Sequence, residues 1–192
     1  MNKKELKKSI KFSISIAVIT FVLAAIFSVV SSSVLSGVMT LVGLIIVLII
    51  VLTGVFFDML GIAATAADEV PFHAMAAEKV SGSKQAIQIV RNADRFASFC
   101  NDVIGDISGI ISGAASAIVV LQISNNFGYS DGSLFYTVIN VTLTSIVAAL
   151  TVGGKAFGKF LAINASTNII FLVGKIIAFI EDKFKIKVLS TK

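Results

Sequence analysis

Three carboxylates stand at the ends of apolar segments in this sequence. Asp58 follows the apolar run in VFFDMLGIAA, and Asp102 and Asp106 open another in CNDVIGDISGIISG. Asp102 and Asp106 are one helical turn apart and face the same way, and Asn101 stands next to them in the sequence. A carboxylate in hydrocarbon is costly, so each should be paired, hydrated or occupied by a cation. Mg²⁺ requires such oxygens from several elements; helix capping, or pairing with Lys155 and Arg95, is the structural alternative.

The composition predicts an integral membrane protein. The 192 residues are 56% hydrophobic and 14% charged, with a mean hydropathy of +0.97, whereas soluble domains are about 25% charged. The single cysteine, Cys100, excludes an internal disulfide, and the single histidine, His73, excludes a site of several histidines. A nucleophile and base built from Ser98 or Cys100 with His73 is disfavoured, so we predict no enzymatic activity. Basic residues flank apolar segments, which argues against nucleic acid as a partner.

Four apolar segments reach the length of about 20 residues that a bilayer requires. They run from Phe12 to Val30, Val34 to Phe57, Phe99 to Leu121 and Leu134 to Leu150. Basic residues precede the first, separate the second from the third and follow the fourth. The positive-inside rule therefore predicts a multi-pass plasma-membrane protein with both termini and the central connection in the cytoplasm. A cleavable leader is the alternative for the N-terminus, although its apolar stretch exceeds the usual 7 to 15 residues.

Two further segments are amphipathic. Residues 68–95 repeat apolar side chains at near-helical spacing and break at Ser81-Gly82, which predicts a cytoplasmic helical hairpin. Pro71 suits its first turn and Asp68 its cap. The segment from Ser166 to Lys187 predicts a helix in the membrane interface. Its polar stripe holds Lys175, Ala178, Asp182 and Lys185.

Small residues repeat every fourth position after the acids. Gly105, Gly109 and Gly113 form one series, and Ser108, Ser112 and Ser116 form another beside it. Small residues at this spacing let helix backbones approach closely, inside one bundle or across a dimer. A phosphate cradle is disfavoured, because the segment lacks a preceding strand and a Walker lysine.

The order of the motifs resembles the transmembrane domain shared by the CorB and CorC bacterial proteins and the CNNM proteins of animals, which is linked to Mg²⁺ transport. That domain carries an FFSASETAL-like helix end, a cytoplasmic stretch resembling RLRHLAEEGNKGAKKALELLENPDRF, a GNNLVN-like turn and a GEIIPKALA-like segment. Here FFDMLGIAA, PFHAMAAEKVSGSKQAIQIVRNADRF, CNDVIGD and GKAFGKFLA occupy those places in the same order. The resemblance covers Phe56 to Phe179.

The resemblance implies a dimeric helical membrane domain that holds Mg²⁺ between helices in an inward-open cavity. Asp58 matches the serine of the first motif, Asn101 the asparagine of the turn and Gly154 the glycine of the last motif. With Asp102 and Asp106 these are the expected metal site. With the four apolar segments, we expect an all-α membrane protein of four transmembrane helices, three that match the family and one extra N-terminal helix that departs from it. The expected divisions are residues 1–33 (basic N-terminus and extra helix), 34–165 (CNNM-like domain with hairpin 68–95) and 166–192 (interfacial helix and basic tail).

Lys155 departs from the family, since it stands where the family has a glutamate. An ammonium about 4 Å from a cation opposes the ion by several kcal/mol at an effective dielectric near 20. Either Lys155 satisfies one carboxylate and leaves the others for the ion, or it replaces the cation altogether. The sequence also ends where many relatives continue into nucleotide-binding CBS modules. We therefore expect no nucleotide and a separate cytoplasmic regulatory protein.

The leading hypothesis is a homodimeric divalent-cation transporter or ion-binding domain of CorC type, with Mg²⁺ first and Co²⁺ or Mn²⁺ next. Mg²⁺ selectivity would require an octahedral oxygen cage, because affinity alone favours the other two ions. The alternative is a non-transporting membrane scaffold or regulator, in which Asp58, Asp102, Asp106 and Lys155 form a buried charge network. A small pore-forming protein is disfavoured by the charged hairpin.

Overall fold

The computed structural model describes residues 3–129 and 132–185, and within these ranges the chain is helical without strands, which confirms the predicted all-α class. The helices are α1 (Lys3–Ser36), α2 (Thr40–Ala66), α3 (Val70–Ala77), α4 (Ser83–Arg91), α5 (Ala93–Ser98), α6 (Asp106–Asn126), α7 (Leu134–Asn164) and α8 (Ser166–Phe184). A π-helical turn, Phe99–Gly105, joins α5 to α6.

Four helical segments are long and apolar enough to cross a membrane, which confirms the predicted number among the described residues. They are Ser9–Ser36, Thr40–Ala66, Ala93–Asn126 and Leu134–Asn164. The predicted start of the second segment at Val34 is wrong, because Val34 lies in α1 and the chain turns only after Ser36. An apolar run continues through this turn, so hydropathy alone does not locate it.

The chain forms two compact units, and the division falls inside helices. The first unit contains the chain up to Val55 together with Val103–Gly154, and the second contains Phe56–Asp102 together with the chain from Lys155 onward. In the first unit α1 packs against α6. Its two clusters of buried apolar side chains contain Leu35, Val47, Val51, Val103, Ile107, Ile111, Ala115, Val119 and Val147.

The serine series on α6 lies in the packed part of the first unit. Ser108, Ser112 and Ser116 are buried, and a Cβ added to Gly54 on α2 would stand 2.8 Å from the Ser108 Cβ. Close helix packing by small residues is therefore present here, as predicted. A Cβ added to Gly109 or Gly113 would meet no atom within 4 Å. These glycines instead line a groove of about 260 Å³ between α6 and α7.

The second unit is built on the predicted helical hairpin. Helices α3 and α4 pack together, and the chain reverses between them at Gly82, whose φ of 90° is unfavourable for other residues. Pro71 lies in the first turn of α3, and the Asp68 carboxylate accepts a hydrogen bond of 3.1 Å from the Val70 N–H. The buried cluster of this unit contains Ala63, Ala64, Phe72, Ala86, Ile87, Ile89, Ala162 and Ile170.

Helix α8 packs against α4 at two glycines. A Cβ added to Gly174 would collide with the Gly82 carbonyl and stand 3.2 Å from the Ala86 Cβ. The Gln85 side chain also donates a hydrogen bond of 2.8 Å to the Glu181 carboxylate. The start of α8 agrees with the predicted segment, whose predicted end at Lys187 lies outside the described residues. Ala178, predicted in the polar stripe, is buried.

Candidate functional site

Asp58 lies on α2 in the second unit and forms an ion pair with Lys155 of α7. The Lys155 Nζ is 3.5 Å from the Asp58 Oδ1, and the side chains are 27% and 15% exposed, respectively. Of the predicted charge pairings, this one is present. The pair answers part of the question raised by the sequence, because the Lys155 ammonium is a cationic partner of the Asp58 carboxylate.

Asn101 rests directly on the backbone of α2. A Cβ added to Gly61 would collide with the Asn101 carboxamide, so only glycine at position 61 allows this approach. Gly61 is one helical turn after Asp58, and residues three apart share a helix face. The Asn101 amide therefore lies along the face of α2 that carries the Asp58 carboxylate.

The Asn101 Oδ1 is buried and has no hydrogen-bond partner in the part of the chain that the structure describes. A buried oxygen left without a donor costs about 1 to 3 kcal/mol. Buried polar atoms in folded proteins nearly always have a partner, and a bound water or ion often serves as that partner. The Asn101 Oδ1 is thus an acceptor that a cation or water would satisfy.

Asn101 and Asp102 both belong to the π-helical turn. A π turn closes its hydrogen bonds over five residues, is rare, and occurs frequently at functional sites. Within the turn Cys100 is 2% exposed, Asn101 is half-buried, and Asp102 is exposed. The turn therefore brings the amide of Asn101 onto α2 while the neighbouring carboxylate lies at the surface of the unit.

The other two predicted metal ligands belong to the first unit. Asp106 is exposed at the start of α6. Gly154 lies in α7, where an added Cβ would stand 2.9 Å from a Val55 methyl group. Gly154 therefore has a packing role in this unit, since its missing side chain makes room for Val55.

The side chains that could act as ligands limit which kind of metal site is feasible. Within residues 3–129 and 132–185, no group of three or more His, Cys, Asp and Glu side chains comes together as a metal site. This argues against a site built from such side chains alone. Mg²⁺ usually keeps several waters and binds through one or two carboxylates, so Asp58 with the Asn101 Oδ1 and water is a fitting set.

A separate polar cluster lies on the hairpin. The Glu69 carboxylate accepts a 2.7 Å hydrogen bond from the His73 Nε2 and a second from the Arg91 Nε. The hydrogen bond with His73, followed by that with Arg91, holds the pKa of Glu69 below its ordinary value. His73 is therefore placed in an exposed ion-pair cluster, and the sequence pattern did not predict this grouping.

Gly61 and the π-helical turn were also missed by the sequence analysis. The small residues in LGIAA after Asp58 were a signal for close backbone approach, but not for which side chain approaches. Comparisons of the chain with protein-family models, with curated proteins and with solved structures gave no match. The resemblance to the CNNM transmembrane domain therefore rests on the order and spacing of the sequence motifs.

Proposed function

We propose that this chain is a membrane protein of the CNNM and CorC type that binds and transports a divalent cation, Mg²⁺ first and Co²⁺ or Mn²⁺ next. The observation that carries the proposal is the buried Asn101 Oδ1, which has no partner among the described residues and rests on Gly61, one turn from Asp58. A hard cation would be a partner for this oxygen, and the negative charge of the Asp58 carboxylate would attract the cation.

The proposed site has two states, one with the ion pair between Asp58 and Lys155 and one with a bound cation. Lys155 neutralises Asp58 in the ion pair, and two unit positive charges 4 Å apart repel by about 4 kcal/mol at an effective dielectric of 20. An arriving divalent cation must therefore displace the Lys155 ammonium from Asp58. Asp102, exposed on the same turn as Asn101, adds negative charge that favours the approach of a cation.

The proposal also covers the membrane topology, the oligomeric state and the partners of the protein. The protein is a multi-pass plasma-membrane protein with both termini and the hairpin in the cytoplasm, because the basic residues lie in those segments. It forms a homodimer, for which the open small-residue groove at Gly109 and Gly113 is a candidate contact. A separate cytoplasmic protein regulates it, no nucleotide is bound, and the chain is not an enzyme.

The second candidate is a non-transporting scaffold or regulator. The formed ion pair between Asp58 and Lys155 favours it, since a lysine can replace a cation permanently and fix the register of two helices. In that case removal of Lys155 leaves an uncompensated, half-buried carboxylate and destabilises the protein. The two candidates therefore predict opposite effects of the lysine on ion binding and on stability.

Calorimetry with the purified full chain and MgCl₂ tests the proposal. We expect the parent to bind Mg²⁺, Asp58→Asn and Asn101→Leu to lower the affinity at least about tenfold, which is about 1.4 kcal/mol, and Lys155→Gln to raise it. Asp182→Asn, an exposed change on α8, is the matched control and should leave the affinity unchanged.

Absence of Mg²⁺, Co²⁺ and Mn²⁺ binding in the parent, or equal binding by all variants, would contradict the proposal. Absence of binding together with a marked loss of stability in Lys155→Gln would favour the scaffold. Ion uptake into liposomes that contain the parent or Asp58→Asn then separates transport from binding alone.

A further inference from the structure

Helix α8 is apolar on two opposite sides, and only one of them has a partner in the described chain. Ile170, Gly174 and Ala178 form the buried side. On the other side Leu172, Ile176 and Phe179 are 60%, 51% and 65% exposed. At 100° per residue these two rows lie about half a turn apart. We call the exposed row, completed by Ile180, the outer stripe.

Two lysines lie along the outer stripe with their ammonium groups over aromatic rings. The Lys175 Nζ is 4.5 Å from the centroid of the Phe171 ring, and the Lys183 Nζ is 5.7 Å from that of Phe179. Both distances are within the range of a cation–π contact. Long side chains that cover apolar groups and keep the charge at the edge are typical of helices at a membrane surface.

The position of α8 after α7 places it at the boundary of a bilayer. Helix α7 has 31 residues, so it is about 46 Å long at about 1.5 Å per residue. A bilayer with its headgroup layers is about 40 to 45 Å thick. If α7 crosses the membrane, α8 therefore begins at the headgroup layer, after the single residue Ala165.

The positive charge of α8 and the residues after it favours binding to anionic lipid. From Lys175 to Lys192 the sequence has five lysines and two acids, Glu181 and Asp182. Glu181 lies on the α4 side and accepts a hydrogen bond from Gln85. Among the exposed, described residues of this segment, Lys175, Lys183 and Lys185 outnumber Asp182, so the exposed charge is positive and complements an anionic leaflet, where each lysine strengthens attachment.

We infer that the outer stripe of α8 binds the surface of an anionic lipid leaflet, with the four apolar side chains between acyl chains and Lys175 and Lys183 at the headgroup phosphates. The buried side of α8 keeps its contact with α4, so the hairpin is attached to the membrane surface through α8. This inference does not depend on the cation site.

Single-tryptophan fluorescence tests the inference, because the chain contains no tryptophan. Phe179→Trp and Ile176→Trp place the probe on the outer stripe, and Val70→Trp on α3, where Val70 is 69% exposed, is the matched control. Each full-length variant is reconstituted into liposomes of phosphatidylcholine, with or without phosphatidylglycerol, and with or without brominated acyl chains. Two probe positions keep the test valid if one variant does not fold.

We expect brominated lipids to quench the tryptophan at 179 and 176 but not at 70, and to quench more strongly with phosphatidylglycerol. In the Phe179→Trp background, Lys175→Gln with Lys183→Gln should lower the ratio of bound to unbound α8 in phosphatidylglycerol about 30-fold, which corresponds to about 1 kcal/mol per lysine. The pair Lys79→Gln with Lys84→Gln removes equal charge from the hairpin and should have no such effect.

Any one of four results would overturn the inference. Quenching by acrylamide but not by brominated lipids would place the outer stripe in water. Protection from both quenchers would mean that protein, such as a second copy of the chain, covers it. Equal quenching with and without phosphatidylglycerol, or equal loss in both lysine pairs, would remove the preference of α8 for anionic lipid.

Discussion

Two half-buried side-chain amides in this molecule differ in the contacts that hold them. Gln122 in the first unit and Asn101 in the second each have a buried carbonyl oxygen without a partner among the described residues. The Gln122 Nε2, however, donates to the Leu35 carbonyl at 2.7 Å and to the Val38 carbonyl at 3.3 Å. Asn101 instead rests on the bare backbone at Gly61.

The difference indicates that similar chemistry serves two purposes. The last carbonyls of a helix have no partner within it, and Gln122 satisfies one at the end of α1 and another in the following turn. Its role is structural. Asn101 lies in a π-helical turn, away from any helix end on α2, and has room for its position only because residue 61 is glycine. For this reason we propose the Asn101 oxygen, and not that of Gln122, as the ion ligand.

The largest expected effect comes from adding a side chain at position 61, where the Asn101 amide contacts the backbone of α2. Gly61→Ala should lower the free energy of unfolding by about 1 to 3 kcal/mol, because the added methyl overpacks a closed contact, and should abolish Mg²⁺ binding by displacing the amide. Gly153→Ala on α7 is the control, since its added methyl meets no atom within 4 Å. It should raise stability by about 0.5 to 1 kcal/mol. Denaturation in detergent and calorimetry measure both quantities.

Equal stability and equal ion affinity in Gly61→Ala and the parent would show that Asn101 does not depend on this contact. Asn101 would then have no special role at this contact, and the proposed difference between Asn101 and Gln122 would be wrong.

A smaller effect should distinguish the amides themselves. Gln122→Leu should cost about 1 kcal/mol of stability, because two backbone carbonyls lose their donor, and should leave Mg²⁺ affinity unchanged. Asn101→Leu should abolish binding with a smaller loss of stability, since an unsatisfied oxygen is removed with the side chain. Unfolding curves and titrations of both variants check the prediction. Loss of Mg²⁺ binding in Gln122→Leu would mean that Gln122, like Asn101, is needed for ion binding.

The smallest effect concerns pH, to which neutral amides do not respond. The pKa of Glu69 is held below its ordinary value of 4.5 by His73 and then Arg91. This contribution to stability is complete above the ordinary value and disappears as pH falls through the lowered pKa. Glu69→Gln should therefore flatten the acid side of the stability profile, whereas Gln122→Leu should shift the whole profile uniformly. Unfolding measured between about pH 3 and pH 7 separates the two, and an unchanged slope in Glu69→Gln would contradict the role of this cluster.

The sequence predicted the features that depend on composition along one helix. The number of membrane-length helices, the break of the hairpin near Gly82 and the start of α8 at Ser166 follow from hydropathy, periodicity and glycine. The sequence also predicted an ion pair between Lys155 and one of the three carboxylates, without indicating which, and the structure pairs Lys155 with Asp58.

The features that depend on which helix faces meet were not predicted. The approach of Asn101 to Gly61, and of Gly174 to Gly82, joins positions that no spacing rule connects. The π-helical turn changes the register of a helix without changing its composition. The groove at Gly109 and Gly113 likewise shows that a small-residue pattern predicts the capacity for close packing, but not whether a neighbour is present.

The packing of α4 on α8 has a consequence for the order of events during synthesis. Ribosomes add about 5 to 20 residues per second, so about 5 to 20 s pass between completion of Arg91, at the end of α4, and of Phe184, at the end of α8. Throughout that interval the α4 surface around Ala86 lacks its final partner. A nascent chain stalled before Ser166 should therefore present this apolar surface to chaperones or proteases, whereas the finished chain conceals it.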